Sequence, residues 1–283
     1  MRIFTIMIDN YLHADFDVMY ISENIPGPSE PTLEAEELAK NFNSQITHCC
    51  KCNSKCLPDS CECLEISGGA NYRLLDQQHS NSRVYVMNVK GNVHSNSYPV
   101  VECNDLCKCK DSCGNRLVQY GPIKTLYVKS TQNKLKGLGL FTNTLISQGS
   151  FVCEYAGEVL TKKQALFRYN NNEMHGRMNY IFCLNEHVIG RIVQTYIDPS
   201  SFGNIGRYIN HSCYPNCEIV PVRVNTPLPK LAVFSIMDIQ PDAEITFDYG
   251  SDDVNNCVSN VTTRKPCLCN SSHCKGFMPY LPC

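Results

Sequence analysis

Residues 203–216 read Gly-Asn-Ile-Gly-Arg-Tyr-Ile-Asn-His-Ser-Cys-Tyr-Pro-Asn. Gly203, Gly206 and Pro215 punctuate the run and predict a loop. At its centre Asn210 and His211 stand side by side, and Cys213 follows two residues later. Polar neighbours beside a thiol in a loop point to a site, because buried polar groups need partners. Taken alone, the run is equally a tight turn with an incidental histidine. The cysteines elsewhere decide between the two.

The chain has 283 residues, more than one core needs, so two or three modules are expected. A net charge of −2 gives no overall basic field for nucleic acid and suits a basic peptide partner better. Nineteen cysteines are the outlier. They fit either a secreted disulfide scaffold or an intracellular zinc protein. The start, Met-Arg-Ile-Phe-Thr-Ile-Met-Ile-Asp, has an apolar run of only about six residues, too short for a secretory leader. No run approaches the roughly 20 apolar residues of a membrane span. Asn-x-Ser/Thr triplets at Asn210, Asn260 and Asn270 are of a kind that arises by chance. The reading therefore favours a reduced compartment and zinc.

Nine cysteines form two clusters: Cys50, Cys52, Cys56, Cys61 and Cys63, then Cys103, Cys107, Cys109 and Cys113. Zinc takes four ligands, so nine terminal thiolates cannot fill whole sites. They fill three sites if three sulfurs bridge, and the Cys-x-Cys pairs suit that, since neighbouring thiolates reach different metals. An odd count also fits poorly with a closed disulfide set. Such zinc is structural, with every ligand a thiolate and no position left for water. Cys49 breaks the spacing and is left out. Between the clusters, residues 64–102 are rich in Asn, Ser and Gly and read as a surface excursion. In the tail, Cys267, Cys269 and Cys274 are one ligand short of a site. Cys213 supplies the fourth, which pulls the tail over Asn210 and His211, with polar residues 251–265 as tether. The remaining cysteines, Cys153, Cys183 and Cys217 among them, read as core or exposed thiols.

Pro26-Gly27-Pro28 with Pro31 reads as a turn-rich linker, and residues 32–40 as a short helix with acidic groups at its start. Residues 1–45 receive no chemistry. From residue 117 the chain is β-rich, with short strands expected at 126–128, 151–155, 180–184, 193–197, 218–224, 231–235 and 244–247. One helix is expected at 161–169, with Thr161 as its N-cap. The fold is thus mainly β, without alternating βαβ units and without a GxGxxG or GxxxxGK[ST] signature. Four segments are expected: 1–45, a triple-zinc module at 46–116, a catalytic domain at 117–250, and a tether with a zinc module at 251–283.

Further motifs now join these: Lys136-Gly137-Leu138-Gly139-Leu140, Glu154-Tyr155-Ala156-Gly157-Glu158, Asn179-Tyr180, and the run from Glu244 to Tyr249. Together with the cysteines they make the chain resemble SET-domain protein lysine methyltransferases with pre-SET and post-SET zinc modules. Residues 25–28, 151–159 and 203–207 are similar to a SET–mariner branch of that family. The resemblance implies small curved sheets with a knot-like C-terminal substructure, flanked by the two zinc modules. It implies S-adenosylmethionine bound by Lys136, Gly137 and Leu138, by Tyr180, Arg207, Asn210 and His211, and covered by Leu268. The family usually has Trp where Leu138 stands, so weaker packing is expected there. It implies a narrow aromatic channel for the target lysine, built from Tyr155, Phe247 and Tyr249, with Tyr249 as the catalytic tyrosine. Phe247 sits where the family tunes product number; lacking a hydroxyl, it is expected to allow more than one methyl.

The implied partners are a lysine-bearing protein, above all a histone tail, and chromatin, with location in the nucleus on the chromosome. Neither membrane contact nor direct sequence-specific DNA binding is expected. Glu154, Glu158, Asp248, Asp252 and Asp253 are expected to draw in a basic tail. Three rivals remain on sequence alone. They are a silent zinc-containing chromatin-binding module, a methyltransferase for non-histone proteins, and a zinc-dependent DNA-binding protein. Intact Tyr249, Asn210 and His211 speak against the first, and the charge of −2 against the last.

Overall fold

A computed structural model describes residues 15–53, 55–75, 84–88, 98–188, 190–250 and 265–279. Its largest sheet runs in the order Leu126–Ser130, Leu138–Thr142, Glu244–Phe247, Cys217–Arg223, Lys230–Ser235 and Phe151–Glu154. A second sheet sets Phe182–Val188 beside Arg191–Asp198, then Glu158–Leu160 and Ile25–Pro26. The fold is mainly β, as expected. Each expected strand overlaps an observed one, 244–247 coincides with Glu244–Phe247, and the largest offset is at 180–184, which forms as Phe182–Val188.

The core between the sheets holds Leu140, Val152, Ile197, Ile209, Leu231, Val233, Ile245 and Phe247. Cys153 and Cys217 belong to it as free thiols, in line with the core reading. Cys183 is half-buried.

Both expected helices form and run further than expected. Thr32 caps Leu33–Asn43 by accepting from the Ala35 N–H at 3.2 Å. Thr161 and Gln164 cap Lys162–Met174 reciprocally, which stabilises the first turn. Gln164 also donates to the Pro28 carbonyl at 2.8 Å, so the cap ties the helix to the N-terminal segment.

Two sequence readings need correction here. Pro26-Gly27-Pro28 is not a free linker. Ile25–Pro26 pairs in parallel with Glu158 and Val159, and a Cβ on Gly27 would sit 2.6 Å from the Val159 carbonyl oxygen. Nor is 64–102 a simple surface excursion in its described parts. Leu64, Tyr72, Val86, Val101 and Glu102 are buried, and strands Tyr72–Leu75 and Val84–Met87 pair with each other. The Met87 N–H donates to the Gly149 carbonyl at 2.7 Å, which fastens this hairpin to the main body. The polar composition misled because Ser67 and Asn71 turn inward. Asn71 donates to the Val101 carbonyl and to Asn115 Oδ1, both at 2.9 Å.

The opening stretch is not a plain loop either. Ile205–Tyr208 forms a 3₁₀ turn, and Asn210–His211 forms a short strand parallel to Thr246 and Phe247. Hydrogen bonds extend this contact on both sides: Ser212 N–H to the Phe247 carbonyl at 3.1 Å, and Tyr249 hydroxyl to the Ile209 carbonyl at 2.7 Å. These two distant runs thus lie side by side near the C-terminal end of the β body. Gly206 permits it, since a Cβ there would lie 2.5 Å from the Glu154 carbonyl oxygen. Gly157 is equally constrained, with a Cβ falling 2.5 Å from the Asp198 carbonyl carbon.

Candidate active site

Four rings meet where the two sheets converge. Phe247 lies 5.8 Å from Tyr155, 5.7 Å from Phe182 and 4.9 Å from Tyr249, measured between ring centres. Phe182 stands 6.0 Å from Tyr155. Tilted and edge-on contacts of this kind are the favoured aromatic geometry. The Tyr155 hydroxyl donates to the Tyr180 carbonyl at 2.5 Å, as Tyr249 does to Ile209. A carbonyl can only accept, so both phenol protons are committed and both oxygens keep lone pairs for an incoming N–H. Burial pushes both phenols above their ordinary pKa, so each stays neutral.

Tyr155, Phe247 and Tyr249 are therefore brought together as the sequence suggested. Phe182 was missed. Its signal was its place two residues after Tyr180, although the strand itself begins only at Phe182.

Beside this cluster stand Lys136, Gly137 and Leu138. Gly137 adopts φ +74°, and a Cβ on it would meet nothing within 4 Å, so the backbone faces open space. Glu244 ties this turn to the opening stretch. Its Oε1 accepts from Lys136 Nζ and from Asn210 Nδ2, both at 2.8 Å, and Asn210 Nδ2 also donates to the Leu138 carbonyl at 2.9 Å. Glu244 was not singled out from sequence, because a lone glutamate opening a strand looks like a solvated end. His211 accepts the Tyr249 N–H on Nδ1 at 3.2 Å. Tyr180 is half-buried under the Arg207 guanidinium, 4.4 Å from its ring centre. At the adjoining Asn179, Nδ2 is buried with no hydrogen-bond partner among the described residues.

Arg207, expected near the cofactor, is held by the protein itself. It is buried, it donates to the Pro199 carbonyl at 3.1 Å, and it forms an ion pair with Asp15. Its guanidinium is thus held by the protein and reaches the site through Tyr180. Asp15 lies in the segment to which the sequence reading gave no chemistry. The acidic patch also needs correction. Glu154 is buried against Lys230 at 2.8 Å, and Glu158 against Arg168 at 2.6 Å, so neither charge is free to attract a tail. Asp248 is half-exposed near Lys275. Asp252 and Asp253, and the tether apart from Lys265, lie outside the described residues.

The cysteines converge on two centres. Four-sulfur sets within 4.8 Å of one another are Cys50, Cys61, Cys63 and Cys103; Cys50, Cys52, Cys56 and Cys61; and Cys50, Cys56, Cys103 and Cys109. The sets overlap, which is what shared sulfurs require. Cys107 joins through Cys63 at 3.6 Å, and Cys113 packs in the same cluster. The second centre is Cys213, Cys267, Cys269 and Cys274. Sulfur separations of 3.6, 3.7 and 3.9 Å recur, between Cys63 and Cys107, Cys213 and Cys267, and Cys50 and Cys103. A tetrahedron with zinc–sulfur bonds of ~2.3 Å has an edge of ~3.8 Å. A disulfide would require ~2.05 Å, and every described cysteine is free. Burial raises the Cys50 and Cys269 thiols, but hydrogen bonds outweigh it and bring them down to about 6 and about 5, whereas burial holds the neighbouring Cys52 and Cys267 above the ordinary thiol value. Both centres fit zinc.

The tail docks over the opening stretch. His273 stacks on Tyr214 at 4.9 Å, and the Lys275 N–H donates to Cys213 Sγ at 3.4 Å. Lys265 pairs with Glu173 at 2.8 Å, which ties the tail to the helix as well. Leu268 is half-buried in this lid.

Known proteins bear on this arrangement. The SET domain pattern matches residues 137–250, and the Pre-SET motif matches residues 3–116. The chain belongs to the SET-domain family. Within the family it is 39% identical over 247 residues to cattle histone-lysine N-methyltransferase SETMAR, spanning 84% of this chain and 76% of that one. The solved methyltransferase domain of human SETMAR is 34% identical, with a TM-score of 0.72 over 95% of this chain and 91% of that one. Arabidopsis SUVH6, solved in complex with SAM, is 25% identical with a TM-score of 0.67; the match covers 92% of this chain and 50% of SUVH6. The likeness to the SET–mariner branch is thereby borne out. Among the described residues of this SET-domain chain, no helix is long and apolar enough to cross a membrane.

Proposed function

We propose that this protein transfers methyl groups from S-adenosylmethionine to a lysine side-chain amine, and that the lysine belongs to a histone tail on nuclear chromatin. The observation that carries the reading is the aromatic enclosure at Tyr249, in which two phenol oxygens have spent their protons on backbone carbonyls. The donor supplies an electrophilic methyl group on a sulfonium.

This chain's residues supply the rest. At the Lys136-Gly137-Leu138 turn the space a Cβ on Gly137 would fill is open, Asn210 is bonded to the Leu138 carbonyl, and His211 is bonded to Tyr249, so the cofactor is assigned to this end with Tyr180 beside it. The unpartnered Asn179 amide is a further donor at the Tyr180 corner. The tail, pinned through Cys213, Cys267, Cys269 and Cys274, brings Leu268 over this side. Leu138 in place of a tryptophan gives a thinner wall there.

The substrate amine must be neutral to act as a nucleophile. Free lysine titrates near ~10.4. Burial in an aromatic slot beside a cation disfavours the ammonium and lowers that value, so the proton can leave to water without a protein base. The oxygens of Tyr155 and Tyr249 accept the remaining N–H bonds and aim the lone pair. The rings exclude water, and the gain is one of proximity and orientation. Phe247 adds no hydroxyl to crowd an already methylated amine. Strand Phe182–Val188 is at the edge of its sheet, so an extended peptide can add beside it. Phe167, Met174 and Met178, on and just beyond the neighbouring helix, are exposed apolar groups available to its side chains. The naming of the relatives as histone-lysine methyltransferases supports the histone assignment.

The test is a histone-peptide array with methyl-labelled S-adenosylmethionine. Label should appear on lysine-bearing histone peptides and fall at least ~100-fold in Tyr249→Phe with zinc content unchanged. Zinc-replete protein that binds the cofactor and labels no protein would overturn the activity. Label on other proteins and on no histone would overturn the substrate assignment alone.

A further inference from the structure

We propose that His211 is a positioning residue that links the tail metal centre to Tyr249 through its two ring nitrogens. The inference rests on the reading of Cys213 as a zinc ligand and Tyr249 as the residue that serves the amine. It goes beyond that reading by giving the imidazole a task of its own.

The geometry is one line of contacts. The Tyr249 backbone N–H donates to His211 Nδ1 at 3.2 Å, so Nδ1 is the bare nitrogen of a neutral ring. The ring proton then sits on Nε2, and Nε2 lies 3.3 Å from Cys213 Sγ. Cys213 is one of the four tail-centre thiols. Asp248 Oδ1 is 3.5 Å from Nδ1, further than the Tyr249 nitrogen at 3.2 Å, and it accepts the Gly250 N–H at 3.2 Å. The His211 side chain is 2% exposed, and its ring centre lies 5.4 Å from that of Tyr249. Its backbone is fixed by pairing with Phe247. The ring therefore has one orientation that satisfies both partners.

The consequences run both ways. A metal that fixes Cys213 Sγ fixes the acceptor of the Nε2–H, hence the ring plane, hence the point where the Tyr249 N–H is received. Tyr249 is then held at its hydroxyl by Ile209 and at its amide by His211, two residues apart. In return, an N–H aimed at a ligating sulfur steadies the metal. Loss of such outer-shell partners costs ~10–100-fold in metal affinity.

Two substitutions separate the halves. Gln can place its amide N–H near the position of Nε2, while Asn can place its oxygen near that of Nδ1. The full zinc-loaded chain is used for His211→Gln and His211→Asn. Two quantities are read: tail-zinc release to a chromophoric chelator, taken as the phase missing from a Cys267→Ala control, and kcat with KM for a peptide substrate. His211→Asn should release the tail zinc about 10–100-fold faster and lose less of kcat than His211→Gln. His211→Gln should hold zinc more tightly than His211→Asn yet show the larger fall in kcat, with peptide KM little changed. The two variants thus rank in opposite order on the two readouts. The same rank order on both, or no change in either, overturns the inference while leaving the zinc reading intact. Wild-type protein whose tail releases no zinc overturns the zinc reading and the inference with it.

Discussion

Glu102 should be the most stability-sensitive carboxylate in the chain. It is fully buried at the junction of the cysteine-rich module and the β body. Its Oε1 accepts from the Tyr72 hydroxyl at 2.7 Å, Leu117 N–H at 2.8 Å and Val118 N–H at 2.7 Å. Its Oε2 accepts from Gln119 Nε2 at 2.8 Å. In Glu102→Gln, an amide oxygen can serve the first three donors only if its NH₂ faces Gln119. Turning the Gln119 amide would give up its bonds with Arg116 and the Cys103 carbonyl, both at 3.0 Å. The Gln119 Nε2–H is then stranded, at about 1–3 kcal/mol, the longer Gln119 N–H contact with Oε2 at 3.4 Å is lost with it, and three bonds lose their charge assistance, at about 1 kcal/mol each or less. The total is roughly 3–5 kcal/mol. At ~2–4 °C per kcal/mol for a chain of this size, the melting temperature should fall on the order of 10 °C. Thermal unfolding in zinc-containing buffer, with exposed Glu65→Gln as control, measures it. A shift below about 2 °C, no larger than the control, would refute the reasoning.

Three further outcomes follow. Wild-type protein should carry a peptide lysine past one methyl, and Phe247→Tyr, which adds a hydroxyl to a ring only 1% exposed, should stop at the mono-methyl product; mass spectrometry at long times that finds only mono-methyl product in both would contradict this. Activity should rise with pH as the substrate amine loses its proton. Because burial raises the Tyr155 and Tyr249 pKa values, the neutral phenols persist above the usual ~10, and no phenolate-driven descending limb should appear below that pH. A descending limb centred near pH ~9, traced to Tyr249 by its loss in Tyr249→Phe, would show the sign to be wrong. Gly206→Ala should cost ~1–3 kcal/mol or more in urea unfolding, since its Cβ would press on backbone at Glu154 and Tyr155 that cannot give; unchanged stability would mean the 3₁₀ turn is looser than drawn.

Much of this was legible in the residues. Cysteine spacing is local, so both metal centres could be read from counts, and the arithmetic of a three-ligand tail pointed to Cys213, 54 positions before Cys267. Aromatic and β-branched runs marked the strands because they face a core. Inward polar groups were not legible. Ser67, Asn71, Glu102, Glu154 and Glu158 have the composition of a wet surface, and only their partners elsewhere in the chain show them to be internal, while Glu244 is half-buried by its bonds to Lys136 and Asn210. Asp15 was invisible for the same reason, since Arg207 lies 192 positions away. Pro26-Gly27-Pro28 with Pro31 read as a linker because Pro and Gly usually punctuate, whereas here Gly27 lets one backbone lie against another.

The account turns on a cofactor pocket closed by a metal-held tail. Titration of S-adenosylmethionine into zinc-counted wild-type and Cys267→Ala protein tests that most directly. The account predicts one zinc fewer per chain, the Cys50–Cys113 centre still loaded, and cofactor affinity lower by about tenfold or more. Equal affinity in the two proteins, with the tail zinc verified as lost, would contradict it.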